Sequence, residues 1–230
     1  MRLQRCLPVL ATSVVLLTGC GVAGTEFHPG VAAQVGDDTI STKHVDQVTD
    51  DACKGLEKLS EGSAEAGTPS PLGTISRQVT GALVQRLVAE RLAAEYDVTT
   101  TSDYKTNLAQ TEQQLSSLSG AQSDAVQEVI EAQAYTQDVL VQVGGIELTK
   151  QGQDDSAAQD QYNEGLKVLD AWVADHDVDI NPKYALDLGS GEPVDTALSV
   201  AAGTTAKGGL AAEPSTAYVS SLPDNLVCFD

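Results

Sequence analysis

The sequence predicts a mainly α fold with a short β-hairpin near the N-terminus and short extended segments near the C-terminus. Three observations predict it. The stretch Thr74 to Tyr96 carries a wide apolar stripe at helical spacing. Four further stretches repeat apolar steps of three and four. Strand-like patterning is confined to short pieces around residues 32–40 and 177–180.

Taken in order, Ala32 to Val35 and Thr39-Ile40 are two extended pieces around a Gly36-Asp37-Asp38 turn cluster. Ser41 is placed to cap the next helix, and His44 three residues on leaves the capping box incomplete. From Thr42 to Leu59, Val45, Val48, Ala52, Leu56 and Leu59 share one helical face, with Cys53 beside it. Glu61 to Gly73 is rich in Gly, Ser, Ala and Pro and reads as a loop. In the central helix, Ile75, Val79, Leu83 and Leu87 form one row, and Val84, Val88 and Leu92 the next. Arg77, Arg86, Glu90, Arg91 and Glu95 are expected on its outer side.

Thr99 to Ser102 breaks that helix and caps another, about Ser102 to Leu118, expected to bury Tyr104, Leu108, Leu115 and Leu118. After a turn at Ser119-Gly120-Ala121, a helix from about Ser123 carries Val126, Val129, Ile130, Val139, Leu140 and Val143. Gly144-Gly145 is expected to end or kink it. The last helix, about Ala157 to Asp175, places Tyr162, Leu166, Leu169, Trp172 and Val173 at helical spacing. Asp177 to Ile180 then suits a short strand, and Asn181-Pro182 a turn. Leu198-Ser199-Val200 reads as a further extended piece. Ala201 to Ser221 is dominated by small residues and is expected to hold little fixed structure.

The N-terminus has Arg2 and Arg5, an apolar run from Leu7 to Leu17, then Thr18-Gly19-Cys20. A basic start, a short apolar core and small residues before a cut site are secretory-signal anatomy. The apolar run is about half the ~20 residues that span a bilayer. Leu17-Thr18-Gly19-Cys20 resembles a bacterial lipobox, which implies diacylglycerol on the Cys20 thiol and Cys20 as the first mature residue. The expected organisation is a signal over 1–19, a lipidated spacer over 20–30, a helical domain over 31–185 and a mostly irregular tail over 186–230. Localisation follows: the extracytoplasmic face of a bacterial membrane, held there by the lipid on Cys20.

The chain has 13 basic and 33 acidic residues. Loss of residues 1–19 removes two arginines and no acid, leaving 11 basic residues and a net charge of −22. That charge excludes nucleic acid as a partner, since phosphates demand Lys and Arg. It also disfavours adhesion to anionic lipid without a covalent anchor. With Cys6 in the signal and Cys20 acylated, Cys53 and Cys228 are left. In an oxidising compartment an even pair reads as a disulfide, closing a loop of about 175 residues; two free thiols are the alternative.

The segment Ala33-Gln34-Val35-Gly36-Asp37-Asp38-Thr39-Ile40-Ser41 resembles the opening "A-x-V-N-G-x-x-I-S/T" of the SurA N-terminal chaperone domain. Gly36-Asp37 stands where that family has Asn-Gly. The order long helix, short turn, helix is similar, and Asp179 to Tyr184 resembles an "x-V-N-P-R-Y/F-G" element after the last helix, with departures at Lys183 and Ala185. The resemblance covers roughly residues 31–200. It implies a chaperone-like helical domain related to parvulin-type prolyl isomerases, with unfolded polypeptides as clients. The catalytic histidine signature of parvulins has no match around His28, His44 or His176.

No catalytic constellation or cofactor motif is read from the sequence. Asp175-His176-Asp177 with Asp179 offers metal-capable groups in no defined ligand spacing, and a solvated helix end is the commoner meaning. Gly189-Ser190-Gly191 lacks the strand–helix context of a phosphate loop. Three histidines, one in the spacer, make a Ser-His-acid triad a poor fit. Trp172 reads as packing rather than as a ligand platform. The leading expectation is a lipid-anchored chaperone-like protein. A non-catalytic scaffold of the envelope is second, and a prolyl isomerase a distant third. Substituting Cys20→Ala is expected to move the protein from the membrane fraction to the soluble fraction or to stall its processing; unchanged membrane fractionation and unchanged mass would contradict the lipobox.

Overall fold

A computed structural model describes residues 29–61, 67–184, 186–188, 203–211 and 213–229. The signal, the lipobox with Leu17, Thr18, Gly19 and Cys20, most of the spacer, Gly189 to Gly191 and Leu198 to Val200 lie outside the described residues. The fold is mainly α, with a short antiparallel hairpin near the N-terminus and short strands near the C-terminus.

The hairpin pairs β1 (Val31–Val35) with β2 (Asp38–Ser41), Val35 standing opposite Asp38. Gly36 takes φ +57° in the two-residue connection, a left-handed value that glycine adopts without a Cβ clash. β1 also pairs antiparallel with β4 (Val178–Ile180), giving a three-stranded sheet in the order β2-β1-β4. Asn181 reinforces that closure. Its backbone N–H donates to the Ala32 carbonyl at 2.8 Å and its Nδ2 to the Val31 carbonyl at 2.9 Å.

Five helices of thirteen residues or more form the body. They are α1 (Thr42–Ser60), α2 (Leu72–Glu95), α3 (Ser102–Gln114), α4 (Gly120–Lys150) and α5 (Ala158–Asp175). The Ser41 hydroxyl accepts from the His44 N–H at 3.1 Å and starts α1. Asp97 at φ +54° ends α2, and the Val98 N–H returns to the Ala93 carbonyl at 3.0 Å, a Schellman closure. The Thr101 hydroxyl then accepts from the Tyr104 N–H at 3.2 Å and starts α3.

α2 is the core helix. Val79, Thr80, Ala82, Leu83, Val84, Val88, Ala89 and Leu92 are buried around its girth, because α1, α4, α5 and the sheet all lean on it. The buried hydroxyls of Thr49, Thr80 and Thr136 each donate to the carbonyl four residues back, so none is left unpaired in the core. Among the described residues, Tyr184 Oη is the buried side-chain polar atom without a partner. Burial, with Asp46 adding repulsion, pushes that phenol up to about 12.

Several expectations change. Gly144-Gly145 neither ends nor kinks its helix, which runs through to Lys150. The reason is the crossing with α5. A Cβ on Gly144 would lie 1.8 Å from the Gln161 carbonyl oxygen, and one on Gly165 would lie 2.1 Å from that of Leu140. Close backbone approach outweighs the intrinsic helix cost of glycine, about 1 kcal/mol. Arg77 is buried rather than outward. Its Nε donates to the Tyr184 carbonyl at 3.0 Å and its Nη2 to that of Gly209 at 3.3 Å. In α3 and the 3-10 turn that follows it, Leu115 is buried, whereas Tyr104, Leu108 and Leu118 are half-covered, since α3 packs on α4 alone among the long helices. Leu56 and Leu59 are each 37 % exposed, because Gly55 on α1 is what meets Leu118 and Val126 of the neighbouring segments.

The stretch Ala201 to Ser221, expected to lack structure, holds α6 (Thr204–Gly209) and α7 (Thr216–Val219). The Ser215 hydroxyl caps α7 at the Tyr218 N–H, and the Tyr218 ring lies against Gly208. Beyond them β5 (Val227–Cys228) pairs with β3 (Ser70–Pro71), a residue pairing too distant in sequence to be foreseen from local pattern.

The α4–α5 crossing gives a sign test. Propensity alone would have Gly165→Ala stabilise by about 1 kcal/mol. The clash is expected to win, with a net loss of about 2–3 kcal/mol. The urea midpoint should fall; a rise would mean the helices are not in backbone contact.

Candidate functional site: a groove at the edge of the sheet

β2 is an outer strand, and a groove of about 630 Å³ runs beside it, between α1, α2 and α4. Asp38, Thr39, Ile40 and Ser41 of β2 form one bank. Leu83 and Leu87 of α2 supply apolar floor together with Ile40. His44 of α1, Arg86 of α2 and Glu128 of α4 stand at the other bank. Asp38, Thr39 and Ser41 are exposed while Ile40 is buried, so Ile40 is the residue by which β2 reaches the core.

Every charged group in this wall has a partner. Asp38 pairs with Arg91. His44 Nε2 lies 2.7 Å from Glu128 Oε1. Arg86 reaches Glu90 at 3.1 Å and Glu131 at 3.2 Å, and its guanidinium sits 5.5 Å from the centre of the Tyr135 ring. Burial lowers the Arg86 pKa, but the Glu90 and Glu131 carboxylates outweigh it and the net direction is upward. Tyr135 in turn meets Tyr104 of α3 edge to face, with centroids 6.1 Å apart. Both phenols are pushed up, first by burial and then by nearby carboxylates, Glu90 for Tyr135 and Glu131 for Tyr104. Such a lining is ion-paired throughout but carries more carboxylates, Asp38, Glu90, Glu128 and Glu131, than arginines, Arg86 and Arg91.

Other hollows are not lined by β2. One of about 580 Å³ lies between α3 and α4, lined by Thr101, Asp103, Asn107 and Asp138 together with Tyr104 and Val141. One of about 620 Å³ lies where α5 and β4 meet Leu186 to Leu188, next to residues outside the described set.

Cys53 and Cys228 lie at disulfide-bonding distance, with Cα atoms 5.7 Å apart. Glu57 sits beside them and accepts from the Phe229 N–H at 2.8 Å. Among the described residues this Cys53–Glu57–Cys228 group is the one set of three metal-capable side chains, and its sulfurs are engaged with each other. The His176 ring stacks on Trp172 at 3.9 Å, nearly parallel, and its Nδ1 lies 2.8 Å from the Trp172 carbonyl. The Trp172 indole N–H donates to Glu95 at 2.8 Å, so Trp172 ties α5 to the end of α2. The acidic residues around His176 are thus not gathered with it into a ligand cage.

The sequence names Asp38 to Ser41, His44, Leu83, Arg86 and Leu87 as turn, cap, core or surface positions and does not assign them to a groove. Arg86 and Glu90, four apart on one helix, were the available signal. The rest required knowing which hairpin strand is outermost. Among the described residues, the fold and groove together define a small helical domain closed by a three-stranded sheet, with an ion-paired, partly apolar channel at the sheet's outer edge. Comparisons with family models, curated proteins and solved structures find no match for the chain.

Replacing Arg86 with Met leaves Glu90 and Glu131 without their shared cation on a half-buried wall. The expected cost is about 1–2 kcal/mol in urea unfolding. An unchanged midpoint would mean that the wall is held by packing alone.

Proposed function

We propose that this is a lipid-anchored, extracytoplasmic chaperone-like protein that binds unfolded or secreted polypeptides. The observation that carries the reading is the groove beside β2, where a strand edge outermost among the described residues, an apolar floor and a wall of ion-paired charges face the same space. An extended chain needs those three things from a receptor: backbone partners, cover for apolar side chains and no unpaired charge to bury. The resemblance to the SurA N-terminal domain supports the same reading, through the hairpin opening and the Asn181-Pro182 element. In the structure these two segments lie together, Asn181 bonding to the first residues of β1.

The anchoring half of the proposal rests on Leu17 to Cys20. Among the described residues no helix is long and apolar enough to cross a membrane. A lipid on Cys20 would leave about ten residues of spacer before β1, at most ~35 Å of reach. The groove would therefore work close to the bilayer, where newly translocated chains emerge.

A second reading, a scaffold lipoprotein of the envelope, draws on Leu56 and Leu59, which lie three residues apart on one exposed face of α1. One fixed partner recovered in equal amount would favour it.

Chaperone action is tested with the purified full-length protein in detergent and a chemically unfolded model client. Aggregation, followed by light scattering, is expected to fall with rising protein, and to be abolished near equimolar amounts. No effect at tenfold excess would contradict the reading.

A further inference from the structure

We infer that the groove captures its client by strand addition to β2, and that it selects a segment uncharged over about four residues with Lys or Arg on either side. This deepens the chaperone-like reading and rests on it.

The backbone argument starts at the turn. Val35 and Asp38 flank the two-residue connection and face each other, so they exchange the first pair of hairpin hydrogen bonds. Alternation then turns the N–H and C=O of Thr39 away from β1. Among the described residues no strand lies on that side, since the sheet order puts β2 outermost. Among the described residues, Thr39 has no backbone partner beyond its register position opposite Gln34. A client strand laid along β2 would take both groups of Thr39 at once. Four residues make an edge short enough to resist self-pairing, yet long enough to hold one extended segment.

The side chains around the groove set what that segment contains. Ile40, Leu83 and Leu87 form the floor, so an aliphatic side chain on the client gains cover there. The charged groups in the wall already have partners, Asp38 on Arg91, Glu128 on the His44 ring, and Arg86 on Glu90 and Glu131. A charged client residue entering the groove would have to break one of those pairs or go unpaired. Beyond the groove the situation reverses. The chain carries a net charge of −20, and its field draws basic residues toward the protein and repels acidic ones.

The test uses the full-length protein in detergent and three fluorescein-labelled peptides, read by anisotropy at low salt. The first is Lys-Lys-Val-Thr-Val-Ala-Lys-Lys. The second has Glu in place of each Lys. The third keeps the first sequence but carries N-methyl groups on both valines, which removes backbone donors and leaves the side chains. The first peptide is expected to bind saturably, and the other two at least tenfold more weakly. The gap between the Lys and Glu peptides should close as salt is raised. Thr39→Pro, checked for folding by its melting curve, should lose at least tenfold for the first peptide.

Equal affinity for the N-methylated peptide overturns strand addition, as does full affinity in a folded Thr39→Pro protein. Equal affinity for the Glu peptide overturns the charge selection. If any of these occurs while aggregation of an unfolded client is still suppressed, chain binding stands and the edge mechanism falls. If no peptide binds and no client is protected, both fall.

Discussion

β1 has a hydrogen-bonding edge on each side, and the fold uses both. One side closes the hairpin with β2; the other receives β4, which arrives from the far end of the helical body. This pairing brings Ala33 and Ile180 together and makes the five long helices a closed unit. It also decides where the sheet stops. With β1 saturated and β4 on one flank, β2 is left outermost, beside the end of α1 and over the middle of α2. The groove exists because of that placement, since its bank is a strand edge and its floor is the helix that the sheet rests on.

The helices are held by a different constraint. α2 is wrapped on nearly all sides, so its apolar surface could not be a single stripe, and buried residues occur around its girth. α4 and α5 cross at backbone contact through Gly144 and Gly165, which removes the space that side chains would have filled. The C-terminal segment is then fastened over the outside at three places: Arg77 holding the carbonyls of Tyr184 and Gly209, β5 on β3, and Cys228 against Cys53. A cross-link closing so long a loop acts mainly by restricting the unfolded chain, so this fastening contributes to stability without adding to the core.

The sequence disclosed what is local. The Gly36-Asp37 turn, the caps at Ser41 and Thr101 and the periodicity of all five long helices follow from residues within a turn or two of each other. It hid what depends on partners. Gly144-Gly145 looks like a helix end until α5 is laid against it. Arg77 looks like a surface cation until the tail returns to accept its hydrogen bonds. Small-residue composition argued against structure at 201–221, yet Ser215 and Tyr218 organise part of it. The groove was invisible for the same reason: Thr39 and Ile40, Leu87, and Glu128 come from three distant places in the chain, and the outer position of the strand that holds the first two is set by β4. Cys53 and Cys228 could be named as a pair only by counting cysteines, after the N-terminal reading had accounted for the other two.

The central claim is that the outer edge of β2 is free in the protein alone and taken up by client backbone. Residue-resolved amide hydrogen exchange addresses it most directly. The Thr39 N–H is expected to exchange fast in the free protein, while Val35 and Asp38 are protected. It should become protected when an unfolded client is bound. A Thr39 amide already protected in the free protein, or one that stays unprotected with client bound, would contradict the account.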